Sequence, residues 1–188
     1  MSHALSKPRW LVLHVLTATL LTACGGGGSG GSGGAPSAMQ VATFIDAHVA
    51  GLEFEGPNYS GTTDDNGNFY YRTGDRVTFK VGSLVLGTIS PTGDKVTPLH
   101  LVTDATSSTD ARVVRILRTL QSLDSDGDPD TNAISITAES RRRLRNGANL
   151  DLSSNTTTDN EVANRLPLGF TRTEAQAKSH FERHRNDA

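Results

Sequence analysis

The chain has 188 residues, 35% of them apolar and 20% charged, with a formal net charge of −2. That length and apolar share suit one modest core with flanking segments, and the mild acidity lacks the basic footprint of a nucleic-acid binder. A single cysteine, Cys24, excludes a disulfide framework within the chain.

Residues 1–23 read as an export signal. Lys7 and Arg9 form a positive start, and Trp10 to Ala23 is apolar except for His14 and threonines. Fourteen such residues rise about 21 Å as a helix, short of the roughly 30 Å of a bilayer's hydrocarbon, so cleavage is expected rather than spanning. Removal of the signal would take the net charge to −4 and leave the mature chain without tryptophan. The segment Leu21-Thr22-Ala23-Cys24 resembles the bacterial lipobox. The resemblance implies that Cys24 receives diacylglycerol and anchors the mature protein to a membrane. Gly25 stands where an aspartate would favour inner-membrane retention, so the resemblance implies the outer membrane, with the periplasmic or surface face left open. Several buried acyl chains would hold it firmly. The other reading is an ordinary secretory signal with an incidental cysteine. Acylation would leave no thiol for catalysis or metal binding.

Residues 24–37 form a Gly/Ser-rich tether. Treated as a glycine-rich coil, the ten residues from Gly25 to Gly34 span roughly 17 Å. Matches to G-x-S-x-G and G-x-G-x-x-G occur here and carry no meaning, because neither follows a strand nor opens a helix.

Residues 38–188 are expected to form one α+β domain, β-rich over 38–105 and helical over 106–188. The first part predicts a small antiparallel β-sandwich or β-sheet over about 38–90, followed by helices and one short strand. Leu52 and Phe54, Phe69 and Tyr71, then Val77, Phe79 and Val81 alternate with polar neighbours, and Leu84 and Leu86 lead a further strand. Six of the nine aromatics outside the signal lie within 44–71, which places the core there. Asp64-Asp65-Asn66-Gly67 predicts a hairpin turn, with Asn66 and Gly67 as the structural pair adopting positive φ. Further turns are expected at Thr73-Gly74-Asp75 and Gly82-Ser83.

Gly61-Thr62-Thr63-Asp64-Asp65-Asn66-Gly67-Asn68-Phe69, followed by Tyr71, Gly74, Val77, Phe79, Gly82 and Leu86-Gly87, resembles a recurrent module of proteobacterial envelope lipoproteins. Its first hairpin resembles carboxypeptidase regulatory-like β-sandwich domains. These are turn and core residues, so the resemblance implies a fold and an envelope location and no chemistry.

Residues Asp110 to Leu123 predict the strongest helix, with Val113, Ile116, Leu117, Leu120 and Leu123 in one stripe and Thr109 or Asp110 as cap. A strand at Ala133 to Thr137 and a basic helical turn at Glu139 to Arg145 follow. Residues 146–165 are rich in Asn, Thr and Asp and predict a long polar loop. Thr171 with Glu174 suggests a capping box for a last helix over 172–184. Its few apolar residues, Ala175, Ala177 and Phe181, predict weak docking.

The acidic run Asp124-Ser125-Asp126-Gly127-Asp128-Pro129-Asp130-Thr131-Asn132 is the candidate metal site. Alternating oxygen donors suit Ca²⁺, which takes six to eight. Asp124, Asp126, Asp128 and Asn132 fall at positions 1, 3, 5 and 9 of an EF-hand-like loop, with Asp130 as a further carboxylate. Pro129 replaces the turn glycine and Ser135 the bidentate Glu, so a solvated connection is the competing reading. His180 and His184 lie one turn apart, without the glutamate spacing of H-E-x-x-H. They are expected on a solvated face. Arg141, Arg142, Arg143 and Arg145 suggest either anionic head groups or, preferred, a solvated helix face.

The expectation is a membrane-anchored envelope lipoprotein with a non-enzymatic binding or structural role and an envelope protein or polysaccharide as partner. The alternatives are a calcium-stabilised adhesion or ligand-binding module and an envelope hydrolase. No residue set is assigned as catalytic, and no cofactor beyond Ca²⁺ is suggested.

Overall fold

A computed structural model describes residues 37–131 and 133–187; the expected signal, Cys24, the tether as far as Pro36, and Asn132 lie outside the described residues. Residues 36–188 form one compact unit. Its first strands follow the period-2 pattern. β1 (Met39–Phe44) pairs antiparallel with β5 (Asn68–Arg72), in register Met39–Arg72, Val41–Tyr70 and Thr43–Asn68. β8 (Lys95–Val96) adds in parallel on the other side of β1. A second sheet runs β10-β7-β6-β3-β4, with β3 (Glu53–Glu55), β4 (Ser60–Thr62), β6 (Val77–Val81) and β7 (Leu84–Ile89) antiparallel, and β10 (Leu150–Asp151) parallel to β7. β2 (Val49–Ala50) pairs in parallel with β9 (Ile134–Ser135).

The two larger sheets meet through their inward aromatic residues. Phe79 of β6 lies 4.9 Å from both Phe44 of β1 and Phe69 of β5, the latter edge to face. Phe54 of β3 lies 5.8 Å from Phe69. Such tilted pairs add to the burial of the rings themselves. This is the α+β arrangement expected, with helices after the sheets and two two-residue strands, β9 and β10, threaded back among the helices where one short strand was expected.

One turn differs in role from the sequence reading. Gly67 N donates to Asp64 O at 2.9 Å and Gly67 has φ +77°, so the turn exists. It joins β4 of one sheet to β5 of the other, a corner rather than a hairpin. Asn66 keeps negative φ and Gly67 alone is left-handed, with the Asp64 carboxylate accepting from the amides of Asn66 and Asn68.

α1 (Ala111–Ser122) is capped by Asp110, which accepts from Arg112 N. Its predicted apolar stripe is buried, and so are Arg115 and Thr119 on one flank of the stripe and Gln121 on the other. The C-terminal chain covers both flanks, residues 152–159 over Arg115 and α4 over Gln121. The expected loop 146–165 instead carries β10 and α3 (Asp159–Ala163), because Leu152 and Val162 enter the core and Thr158 with Glu161 forms a capping box. Arg115 seals the segment by donating to Asp159 at 2.9 Å and to the carbonyls of Leu152 and Ser154. α2 (Ala138–Leu144) holds the basic run: Arg142 and Arg143 pair with Glu139, while Arg141 turns inward to the carbonyls of Gly51 and Ile136. α4 (Glu174–His184) starts from Thr173 with Gln176 as its box partner, two residues later than Thr171 and Glu174 suggest. It packs on α1, with Ala177, His180 and Phe181 buried.

Candidate functional site

Four separate pieces of chain converge where α4 meets α1. Asp46 stands in the tight turn after β1, beside Ala47, whose φ of 53° makes it the non-glycine residue with positive φ among those described. The Asp46 side chain is fully enclosed. Gln121 of α1 donates from Nε2 to both its carboxyl oxygens at 3.2 Å and to Ala177 O of α4 at 3.1 Å. Burial outweighs that hydrogen bond and pushes the Asp46 carboxyl up to about 8.

His180 of α4 is equally enclosed. Its Nδ1 lies 2.9 Å from Asp130 Oδ1; its Nε2 faces Asp46 O at 3.3 Å and Asp46 Oδ1 at 3.8 Å. Asp130 is held far below the usual carboxylate range by its hydrogen bond from His180, then by Arg172 at 2.7 Å, and Arg183 also binds it. An ionised Asp130 requires the proton on Nδ1 of the imidazole. Burial lowers the tendency of His180 to take a second proton. Nε2 faces the Asp46 carbonyl oxygen, which only accepts, so in a neutral ring one of the two nitrogens meets an acceptor without a proton to share.

The expectation of a solvated His180 and His184 face is corrected for His180, because the acidic loop and the β1–β2 turn close over it. His184 stacks at 4.7 Å on His180, and its Nδ1 lies 2.6 Å from Asp187 Oδ2. Asp130, His180 and His184 offer donor atoms all within 4.8 Å of one another, a group able to hold a metal ion. One carboxylate, two imidazoles and an open position match the donor chemistry of an open zinc-type site. Opposing this, Arg172 and Arg183 already neutralise Asp130, and each repels a further cation. A cleft of about 210 Å³ lined by Ala47, His48, Asp130, Thr131 and His184 reaches the cluster from solvent. That is below the usual size of a small-molecule pocket.

The acidic loop is arranged differently from a wrapped ion site. Asp124 accepts from the amides of Ser125 and Ser135 at 3.0 and 2.8 Å, Asp126 from Asp128 N at 2.9 Å, and Asp128 from Asp130 N at 3.2 Å. Asp130, expected as a further calcium ligand, turns instead to α4, drawn by two guanidinium groups and an imidazole. Asn132 lies outside the described residues. Burial, and then the neighbouring Asp126 carboxyl, pushes Asp124 up to about 6. Asn66 and Gly67 lie apart from this cluster except through His48, whose Nδ1 is 2.7 Å from Asn66 O.

Sequence reasoning missed Asp46 and Gln121 altogether. The available signal was an aspartate directly after the apolar Phe44-Ile45 and a glutamine beside the apolar stripe of α1; either position, if buried, calls for a polar partner. No protein-family model, no curated protein and no solved structure matches this chain.

Proposed function

We propose that the protein is an exported lipoprotein, anchored through acylated Cys24 to the outer membrane of a cell envelope, whose folded unit has a binding or structural role rather than an enzymatic one. The observation that carries the anchor is Leu21-Thr22-Ala23-Cys24 directly behind an apolar run and directly before a glycine-rich segment. Among the described residues no helix is long and apolar enough to cross a membrane. A structural role for the buried cluster is supported by His180, both of whose ring nitrogens face protein atoms inside the fold. Metabolic labelling with a radioactive fatty acid tests the anchor: wild type takes label and Cys24→Ala takes none. Equal label in the two proteins contradicts it.

A calcium-stabilised surface module is the second reading, favoured by the nearness of the Asp124 and Asp126 carboxyls, whose mutual repulsion a cation would relieve. With Asp130 engaged by α4, the proposed set is Asp124, Asp126, Asp128 and Asn132, suited to the weak range of about 10⁻⁴–10⁻³ M. On this reading, millimolar Ca²⁺ raises the melting temperature over that in chelator, and Asp126→Ala abolishes the rise. Identical melting in both buffers removes it.

A further inference from the structure

We infer that the outward face of the sheet formed by β1 and β5 lies against the lipid surface that holds the Cys24 anchor, so that the protein sits on its membrane in a fixed orientation. The inference rests on the proposed acylation of Cys24. The register places Met39, Val41 and Thr43 beside Arg72, Tyr70 and Asn68 on one face, while Ala42, Phe44, Phe69 and Tyr71 point into the core. Met39, Val41 and Tyr70 are 53%, 47% and 43% exposed, three of the four large apolar side chains so exposed among the described residues. Tyr59, from the β3–β4 turn, extends the patch, its ring 6.4 Å from that of Tyr70 and 5.8 Å from the Arg72 guanidinium.

The face is graded along the strands. Its far end is polar, with Thr43 Oγ1 donating to Asn68 Oδ1 at 2.9 Å. Its apolar end is at Met39, where the chain arrives from Cys24. Fourteen residues separate the two, so Met39 stands at most about 50 Å of extended chain from the acylated residue, and about 20 Å if the segment is a glycine-rich coil. The apolar end of the face is thus the part of the fold with the shortest lead to the bilayer. Tyrosines with an apolar body and a polar tip suit the head-group level. Arg72 at that end suits an anionic head group while its stem lies along the patch. Lys95, on the same sheet with Asp94 beside it, adds little net charge. A patch this small would bind lipid marginally by itself. The tether keeps it at high effective concentration beside the surface, where a marginal contact is enough.

The mature chain lacks tryptophan once residues 1–23 are removed, so a single introduced tryptophan reports its own surroundings. The acylated protein carrying Tyr70→Trp is reconstituted in vesicles of phosphatidylethanolamine and phosphatidylglycerol, with and without brominated acyl chains. Leu168→Trp, at the exposed apolar residue between α3 and α4, is the control. The inference expects the Tyr70→Trp emission to shift to the blue on reconstitution and to lose intensity with brominated lipid, while the Leu168→Trp emission does neither. Equal quenching of both, or of neither, overturns it. So does a blue shift already present in detergent without bromine quenching, which would assign the face to a second copy or to the chain's own N-terminal segment. Vesicle flotation and fatty-acid label read the anchor separately. Protein that floats with label but whose Tyr70→Trp is not quenched refutes the orientation alone, whereas protein without label refutes the anchor.

Discussion

Asp46, His180 and Asp130 govern how stability depends on pH, and they act in opposite directions. The Asp46 carboxyl is raised from 3.8 to about 8, so the folded state prefers it protonated. Its contribution is complete below the unfolded value and is lost as pH rises through about 8. Asp130 is lowered, so its contribution is present above the ordinary 3.8 and is lost as pH falls. His180 is lowered by burial and likewise penalises the acid side, below about 6.5. Between about 6.5 and 8 the Asp46 loss acts alone, so stability should fall as pH rises through that window. Asp46→Asn keeps the shape of the side chain and cannot ionise. Denaturant midpoints measured from pH 6 to 9 should fall for wild type and stay nearly level for the variant, and parallel declines would show that Asp46 is not the group responsible. A complementary NMR titration should find the His180 ring gaining its second proton only below the ordinary histidine range.

At the level of elements, the strands and α1 were legible because each presents one face to one core, which leaves a period of 2 or 3.6 in the apolar residues. The Asp64–Gly67 turn was legible in its chemistry but not in its topology. A turn sequence specifies local φ and ψ, whereas whether the next strand pairs with the last one or crosses to the other sheet is decided by packing such as that of Phe69 against Phe79 and Phe54. At Gly67 a side chain would meet Phe44 O at 2.8 Å as well as a left-handed backbone. Gly67→Val should cost about 1–2 kcal/mol from the backbone alone, seen as a lower denaturant midpoint; an unchanged midpoint would mean the turn is not constrained. The C-terminal elements were illegible for a different reason. α3 buries only Val162, and α4 only Ala177 and Phe181 beside the polar His180, and a polar residue gives no periodic sign of being buried. Phe181, fully buried, should when changed to Ala cost about 3–5 kcal/mol, with amide exchange in α4 rising. A variant at wild-type stability would restore the weak docking that composition suggested.

Among the described residues, an aromatic β core and a polar-sealed helical layer share α1, whose buried apolar stripe is flanked by Arg115 and Thr119 on one side and Gln121 on the other. The candidate site lay hidden in the sequence because its members, at 46, 121, 130 and 180, are far apart and of types usually found at the surface. The acidic loop stood out for the converse reason: clustered carboxylates are conspicuous in sequence, yet here they cap their own backbone and tie the loop to α4. The proposed acyl anchor depends on neither and rests on the pattern of residues 7–24. Its most direct test is the intact mass of the protein extracted from membranes of cells expressing the full chain. The account predicts a chain beginning at Cys24 and carrying the added mass of diacylglycerol, and an unprocessed, unmodified chain for Cys24→Ala. A wild-type chain that retains residues 1–23, or that begins at or after Cys24 with no added lipid mass, would contradict it.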